Sequence, residues 1–211
     1  LYLAFCPERI AEGKALEELT TLPQIIGGGD DRRTARAAEL FETLGVECLR
    51  TDDTSAELAK LFTNMYRYIN FAVANEFMII AGEHKRNINH IVNLVNHGYK
   101  RGGLALPGFT AGPCLFKDGF FLVNGIPFTD LITTSWKINE SVPLILVAGL
   151  KERIELRNKQ AVIMGAAFKA NSDDPRQSLS FKVRKALRYE RAEVVMHDPH
   201  IPGLDAPLAD T

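Results

Sequence analysis

At 211 residues the chain has room for one large domain or two small ones. Its hydrophobic fraction of 46% and charged fraction of 24% are those of an ordinary globular protein. A formal charge of −1 lacks the basic footprint that nucleic-acid binding requires, no apolar run reaches membrane-spanning length and no secretory leader is visible, so neither nucleic acid nor membrane is an expected partner.

Leu1–Phe5 reads as a strand already under way at the first residue, which suggests a piece of a longer protein. Cys6 precedes Pro7, where the backbone is pushed toward extended geometry. Gln24–Ile26 reads as a short strand running into Gly27-Gly28-Gly29. A helix from Arg32 to Leu44 follows, with Gly45 just past its end, and Val46–Arg50 returns as a strand containing Cys48. This is a βαβ pattern with parallel strands. The glycine triplet is not a phosphate loop: Asp30 and Asp31 follow it, and neither G-x-G-x-x-G nor a Walker pattern fits.

Thr54-Ser55-Ala56-Glu57 matches a capping box with Thr54 as the cap. Apolar residues then keep helical spacing from Leu58 to Ile80, and the run reaches about residue 84. About thirty residues give a helix of roughly 45 Å, long enough to span an interface or a domain boundary. A second helix follows Asn87 and stops at Gly98; a third runs from about Asp130 to Leu156, where Pro143 should kink it or begin a new segment. Gln160–Ala167 is a strand, Lys169–Arg176 a polar loop, Ser178–Tyr189 a helix and Glu193–His197 a strand. In such α/β units ligands bind beyond the carboxyl ends of the strands, where Phe168, Lys169 and Arg176 fall.

The three cysteines, Cys6, Cys48 and Cys114, are odd in number and widely spaced, with no C-x-x-C. A disulfide framework or zinc site is therefore not expected, and a reducing cytoplasm is the natural setting. The most informative stretch is Pro107 to Asp118. Pro113 suits the first position of a helix, which would put Cys114 in the first turn, where free N–H groups and the dipole favour a thiolate. Lys117 and Asp118 stand three and four residues on, so a thiol, an ammonium and a carboxylate would share one face. That is a nucleophile with a charge partner and a proton handler. The alternative is a buried Cys at a helix start beside a surface ion pair.

Four blocks agree, in order, with one family: Cys6-Pro7-Glu8-Arg9 with Glu12-Gly13; Ala56 to Lys60 with Asn64, Arg67 and Asn75-Glu76; Pro107 to Asp118; and Phe168-Lys169 with Asp174, Arg176 and Ser178. The chain resembles the UDP-glucose/GDP-mannose dehydrogenases. The resemblance implies an α/β fold in three parts: the end of a Rossmann-like NAD-binding domain (1–50), a long-helix dimerisation domain (51–157) and the start of a second Rossmann-like domain that binds the UDP-sugar (158–211). It implies NAD as cofactor, a homodimer through the central helices, and oxidation of a sugar C6 alcohol to the acid through a cysteine thiohemiacetal and thioester, with no metal. His197 and His200 flank Asp198-Pro199, which the family also shows without one.

By the same resemblance, Cys114 is the nucleophile, Lys60 and Asn64 stabilise charge on the reacting oxygen as oxyanion donors do, Asp118 positions or activates water, and Glu8 assists thioester hydrolysis. Phe168, Lys169, Arg101, Phe109 and Gly112 contact substrate; Lys117 and Arg176 hold cofactor or phosphate, as cations do. The family's glycine-rich NAD loop is absent from these residues, so the chain alone is expected to be inactive. Cys6–Arg9 and Asn64–Arg67 look closer to dehydrogenases of N-acetylated sugars, and Cys114–Asp118 closer to those of UDP-glucose, so the sugar is open. The alternatives are a non-catalytic dimerising and ligand-binding module, or a hydroxyacid dehydrogenase, which shares a helical middle but needs no cysteine at position 114.

Overall fold

The structure is a computed structural model and describes residues 3–204. The chain is α/β and divides after Asn64 into two compact units.

The first unit holds a three-stranded sheet in the order β1 (Ala4–Phe5), β2 (Gln24–Gly28), β3 (Cys48–Thr51). Leu1 and Tyr2 of the expected first strand lie outside the described residues. β1 runs antiparallel to β2, while β2 and β3 are parallel with Gln24 opposite Cys48 and Gly27 opposite Thr51, as the βαβ pattern requires. A four-residue helix, α1 (Ala15–Glu18), lies between β1 and β2 and carries no apolar periodicity to announce it. The crossover helix α2 (Asp31–Glu42) is capped by Asp30, whose carboxylate accepts from Arg33 N at 2.8 Å. Gly45 adopts φ +76° just beyond it and donates its N–H to Glu42 O, the left-handed exit glycine allows. Leu40 of this helix is exposed; the buried residues are Thr34 and Ala38.

The glycine triplet has a packing role. A Cβ on Gly27 would lie 2.7 Å from Ala56 Cβ and 2.8 Å from both Asp52 O and Asp53 Cα, and one on Gly28 would lie 2.9 Å from Thr34 Cγ2. The space beside β2 is filled by the starts of α2 and α3, so it forms no cradle for a phosphate.

The long helix is α3 (Asp53–Glu83), 31 residues. Thr54 is not its cap. Asp52 takes that place: its Oδ1 accepts from Ser55 N at 2.8 Å and its Oδ2 from the Ser55 hydroxyl at 2.6 Å. These bonds to the ionised form hold its carboxyl below the usual range. A charged acceptor two residues upstream outcompetes the threonine hydroxyl for the free N–H groups.

In the second unit, α4 (Ile88–Asn96) is capped by Asn87. α5 (Leu115–Val123) packs on α6 (Asp130–Lys151) through an aromatic triad in which Phe116, Phe120 and Trp136 have ring centroids 6.0–6.1 Å apart. Gly119 lets the helices close: a Cβ there would lie 2.9 Å from Ile132 Cγ2 and Met65 Sδ. α6 continues through Pro143 without starting a new segment. Pro143, Val142 and Asn139 are all buried, and packing on this scale offsets the roughly 3 kcal/mol that an internal proline costs.

The unit ends in a parallel pair, β4 (Gln160–Met164) and β5 (Glu193–His197), joined by α7 (Ser180–Tyr189). Val147 of α6 and Ala186 and Leu187 of α7 form one core with Val194, Leu156 and Ala192, and Ala161 and Ile163 of β4 pack against it. The opposite face of β4, with Val162 and Met164, is exposed. Asp198, just past β5, ties the strand ends together. Its Oδ2 accepts from Ala166 N at 2.8 Å and Ala167 N at 3.0 Å, and its Oδ1 from His200 N at 2.9 Å.

Burial would raise the Asp198 pKa, but these three donors together hold it below the ordinary value. A depressed carboxylate contributes stability above its unfolded value, near 3.9, that is lost as pH falls through the folded value. Asp198→Ala should therefore lower unfolding free energy by about 2–4 kcal/mol at neutral pH. The deficit against wild type should shrink toward about pH 3, as read from urea midpoints at the two pH values.

Candidate active site

The first unit brings two of the expected residues together. Lys60 lies in the second turn of α3 and its Nζ donates to the backbone carbonyl of Glu8. The Glu8 side chain is exposed and accepts from Ile10 N. Asn64 follows Lys60 by one helical turn and is buried. Cys6 and Cys48 are half-buried, and burial first of all pushes both thiols up, so neither is activated.

The second unit contains Cys114, Lys117, Asp118, Arg101, Phe109, Gly112, Phe168, Lys169 and Arg176. Cys114 is exposed and is the N-cap of α5; Pro113 therefore precedes the helix instead of opening it. The cysteine carbonyl accepts from Lys117 N and Asp118 N, each at 3.1 Å, which sets the residue at the start of the first turn, and its side chain makes no cap hydrogen bond. Lys117 is exposed, whereas Asp118 is buried and has partners of its own. The shared face expected from spacing is thus split by burial, with the thiol and ammonium outside and the carboxylate inside.

The segment before Cys114 has no regular secondary structure, and among the described residues no backbone–backbone hydrogen bond anchors positions 99–113. Side chains from elsewhere hold it at three points four residues apart. Asn96 bonds both the N–H and the C=O of Leu104, at 2.8 and 2.9 Å. Asn75 does the same to Gly108, at 2.9 and 3.0 Å. At Gly112, φ is +105° and the Phe168 ring fills the place of a Cβ, 3.0 Å from where it would sit. The Thr110 hydroxyl is buried there with no hydrogen-bond partner among the described residues. Phe109 is exposed, and Arg101 lies over the Tyr99 ring, 4.9 Å from its centroid.

Phe168 is placed by its own loop. Its N–H donates to Asp174 O at 3.0 Å, and the Ser178 hydroxyl donates to Ala167 O at 3.3 Å. Asp174 takes Arg176 as a bidentate partner, at 2.9 Å from Nε and 2.6 Å from the terminal nitrogen, and this pairing above all holds its carboxyl below the usual range. The Arg176 side chain is 71% exposed. Lys169 is half-buried.

Sequence reasoning gave no role to Asn75 or Asn139. The available signal was a carboxamide set among the apolar residues Ala72, Val73 and Phe77 of the long helix.

Residues 54–141 match the central domain of the UDP-glucose/GDP-mannose dehydrogenase family and residues 162–209 its UDP-binding domain. The chain belongs to the UDP-glucose/GDP-mannose dehydrogenase family. It is 35% identical over 210 residues to the UDP-N-acetyl-D-mannosamine dehydrogenase of Methanocaldococcus jannaschii, covering 99% of this chain and 49% of that protein. It is 34% identical to the NDP-N-acetyl-D-galactosaminuronic acid dehydrogenase of Ralstonia solanacearum, covering 98% and 50% respectively. The solved UDP-D-ManNAc dehydrogenase of Pyrococcus horikoshii superposes with a TM-score of 0.89 at 31% identity, over 99% of this chain and 52% of that one. The chain thus spans about half the length of the relatives it matches.

Proposed function

We propose that the full-length protein is an NAD-dependent nucleotide-sugar 6-dehydrogenase that converts the C6 alcohol of a UDP-sugar to the acid. The observation that carries this reading is an exposed free thiol at the N-cap of α5, on a segment that core side chains hold in place. The named relatives support an N-acetylated hexosamine as the sugar, in agreement with the Cys6–Arg9 block. Residues 1–50, 51–157 and 158–211 are assigned to the NAD-binding, central and UDP-sugar-binding domains. Among the described residues the glycines of β2 are filled by packing, so the dinucleotide cradle is not assigned to them.

NAD supplies the hydride acceptor for both oxidations. Cys114 adds through sulfur to the C6 aldehyde left by the first, giving a thiohemiacetal whose second oxidation yields a thioester. Water then cleaves the C–S bond and returns the thiol. Lys60 and Asn64 steady the oxyanion in each addition. Asp118, which is buried, holds the water or its proton, and Glu8 assists proton transfer in hydrolysis. Phe168, Lys169, Arg101, Phe109 and Gly112 form the substrate surface; Lys117 and Arg176 take phosphate or cofactor.

The exposed apolar residues of α3, Leu58, Phe62, Val73, Phe77 and Ile80, are the surface on which we place a second copy of the chain. A reducing cytoplasm suits an unpaired active thiol.

The reading is tested by supplying the full-length protein with NAD and UDP-N-acetylmannosamine or UDP-glucose. Two NADH per uronate formed is the expected stoichiometry, with faster turnover of the N-acetylated sugar. A protein that reduces no NAD with either sugar overturns the reading.

A further inference from the structure

We propose that Asn75 is a positioning residue for the reaction of Cys114, and that Asn139 holds it in the orientation this requires. The inference rests on the reading of Cys114 as the nucleophile.

Both carboxamides are completely buried. Asn75 Oδ1 accepts from Gly108 N at 2.9 Å, and its Nδ2 donates to Gly108 O at 3.0 Å and to Asn139 Oδ1 at 2.9 Å. Asn139 Nδ2 in turn donates to Tyr68 O at 3.1 Å. The chain of bonds admits one orientation of each amide. Flipping Asn139 would set two N–H groups against each other and leave the Tyr68 carbonyl facing an oxygen; flipping Asn75 would do the same at Gly108.

A side-chain amide that meets both polar groups of one residue acts as a strand neighbour would, fixing the peptide plane and its position along the chain. Gly108 lies six residues before Cys114, in a stretch with no backbone ladder of its own. The next restraint toward the thiol is the Phe168 ring over Gly112. Asn75 is therefore the fixed point from which the chain runs to the sulfur, and it is set in the middle of the rigid helix α3. Near-attack geometry tolerates little error: a shift of about 1 Å in a group remote from the chemistry costs on the order of 10²-fold in rate.

The test uses the full-length protein carrying Asn75→Ala or Asn75→Asp. The aspartate keeps the volume and the acceptor for Gly108 N but loses both donors, so it is the variant to read where the alanine variant does not fold. Per folded molecule, kcat should fall by about 10²-fold while KM for the UDP-sugar rises by less than about tenfold, because Phe109 and Gly112 move with the segment whereas Phe168 and Lys169 stay in place. In the aspartate variant kcat should recover as pH falls and the carboxyl regains a proton to donate, a profile that loss of packing alone does not produce. A folded Asn75→Asp protein with wild-type kcat, or one whose kcat loss is independent of pH, overturns the proposal. Failure of the underlying reading looks different: Cys114→Ser would then turn over at the wild-type rate, whatever Asn75 does.

Discussion

Cys114→Ser in the full-length protein is expected to abolish uronate formation, with kcat down by at least about 10³-fold. An alcohol is a far weaker nucleophile than a thiol near neutral pH, and an oxygen ester in place of the thioester would be slower to hydrolyse. The substitution changes one exposed atom at a helix start and breaks no hydrogen bond of the side chain, so the protein should remain folded. NADH release followed at 340 nm together with uronate assay checks it. Undiminished uronate production by this variant would sink the assignment.

The second large effect is on stability. Gly27→Ala is expected to destabilise the protein by about 3 kcal/mol, because the added methyl group meets Asp52 O and Asp53 Cα at 2.8 Å, backbone atoms that cannot rotate away. The strain falls on the contact of β2 with the first turn of α3, seven residues before Lys60. A urea midpoint unchanged from wild type would refute it. The same result would weaken the view that this triplet is shaped by packing.

Local periodicity carried most of the element list. α3 is legible to within two residues at its start and one at its end because its apolar spacing holds for about six turns, and the expected bounds of β5 match the observed ones. Errors arose where two local preferences competed. Asp52 and Thr54 are both good cap residues, and the charged carboxylate took the free N–H groups. Pro143 signals a kink or a new segment, and no new segment begins there because the proline is buried with Asn139 and Val142 in tertiary packing that no local window shows. The site was legible as residue types and not as connections. Cys114 stands out in the sequence, but the Asn75–Asn139 bond joins positions 64 apart, and the Phe168 ring reaches Gly112 from another loop. No short window contains either pair.

Holding a chain at every fourth residue leaves room for an exposed spacer between the fastened points. Leu106 points outward between the fastened positions Leu104 and Gly108. Its bulk and polarity can drift over generations while the sulfur keeps its address, whereas inserting or deleting even one residue would put the wrong peptide opposite an asparagine. Variety among descendants of this segment should therefore come by exchange of side chains at constant length.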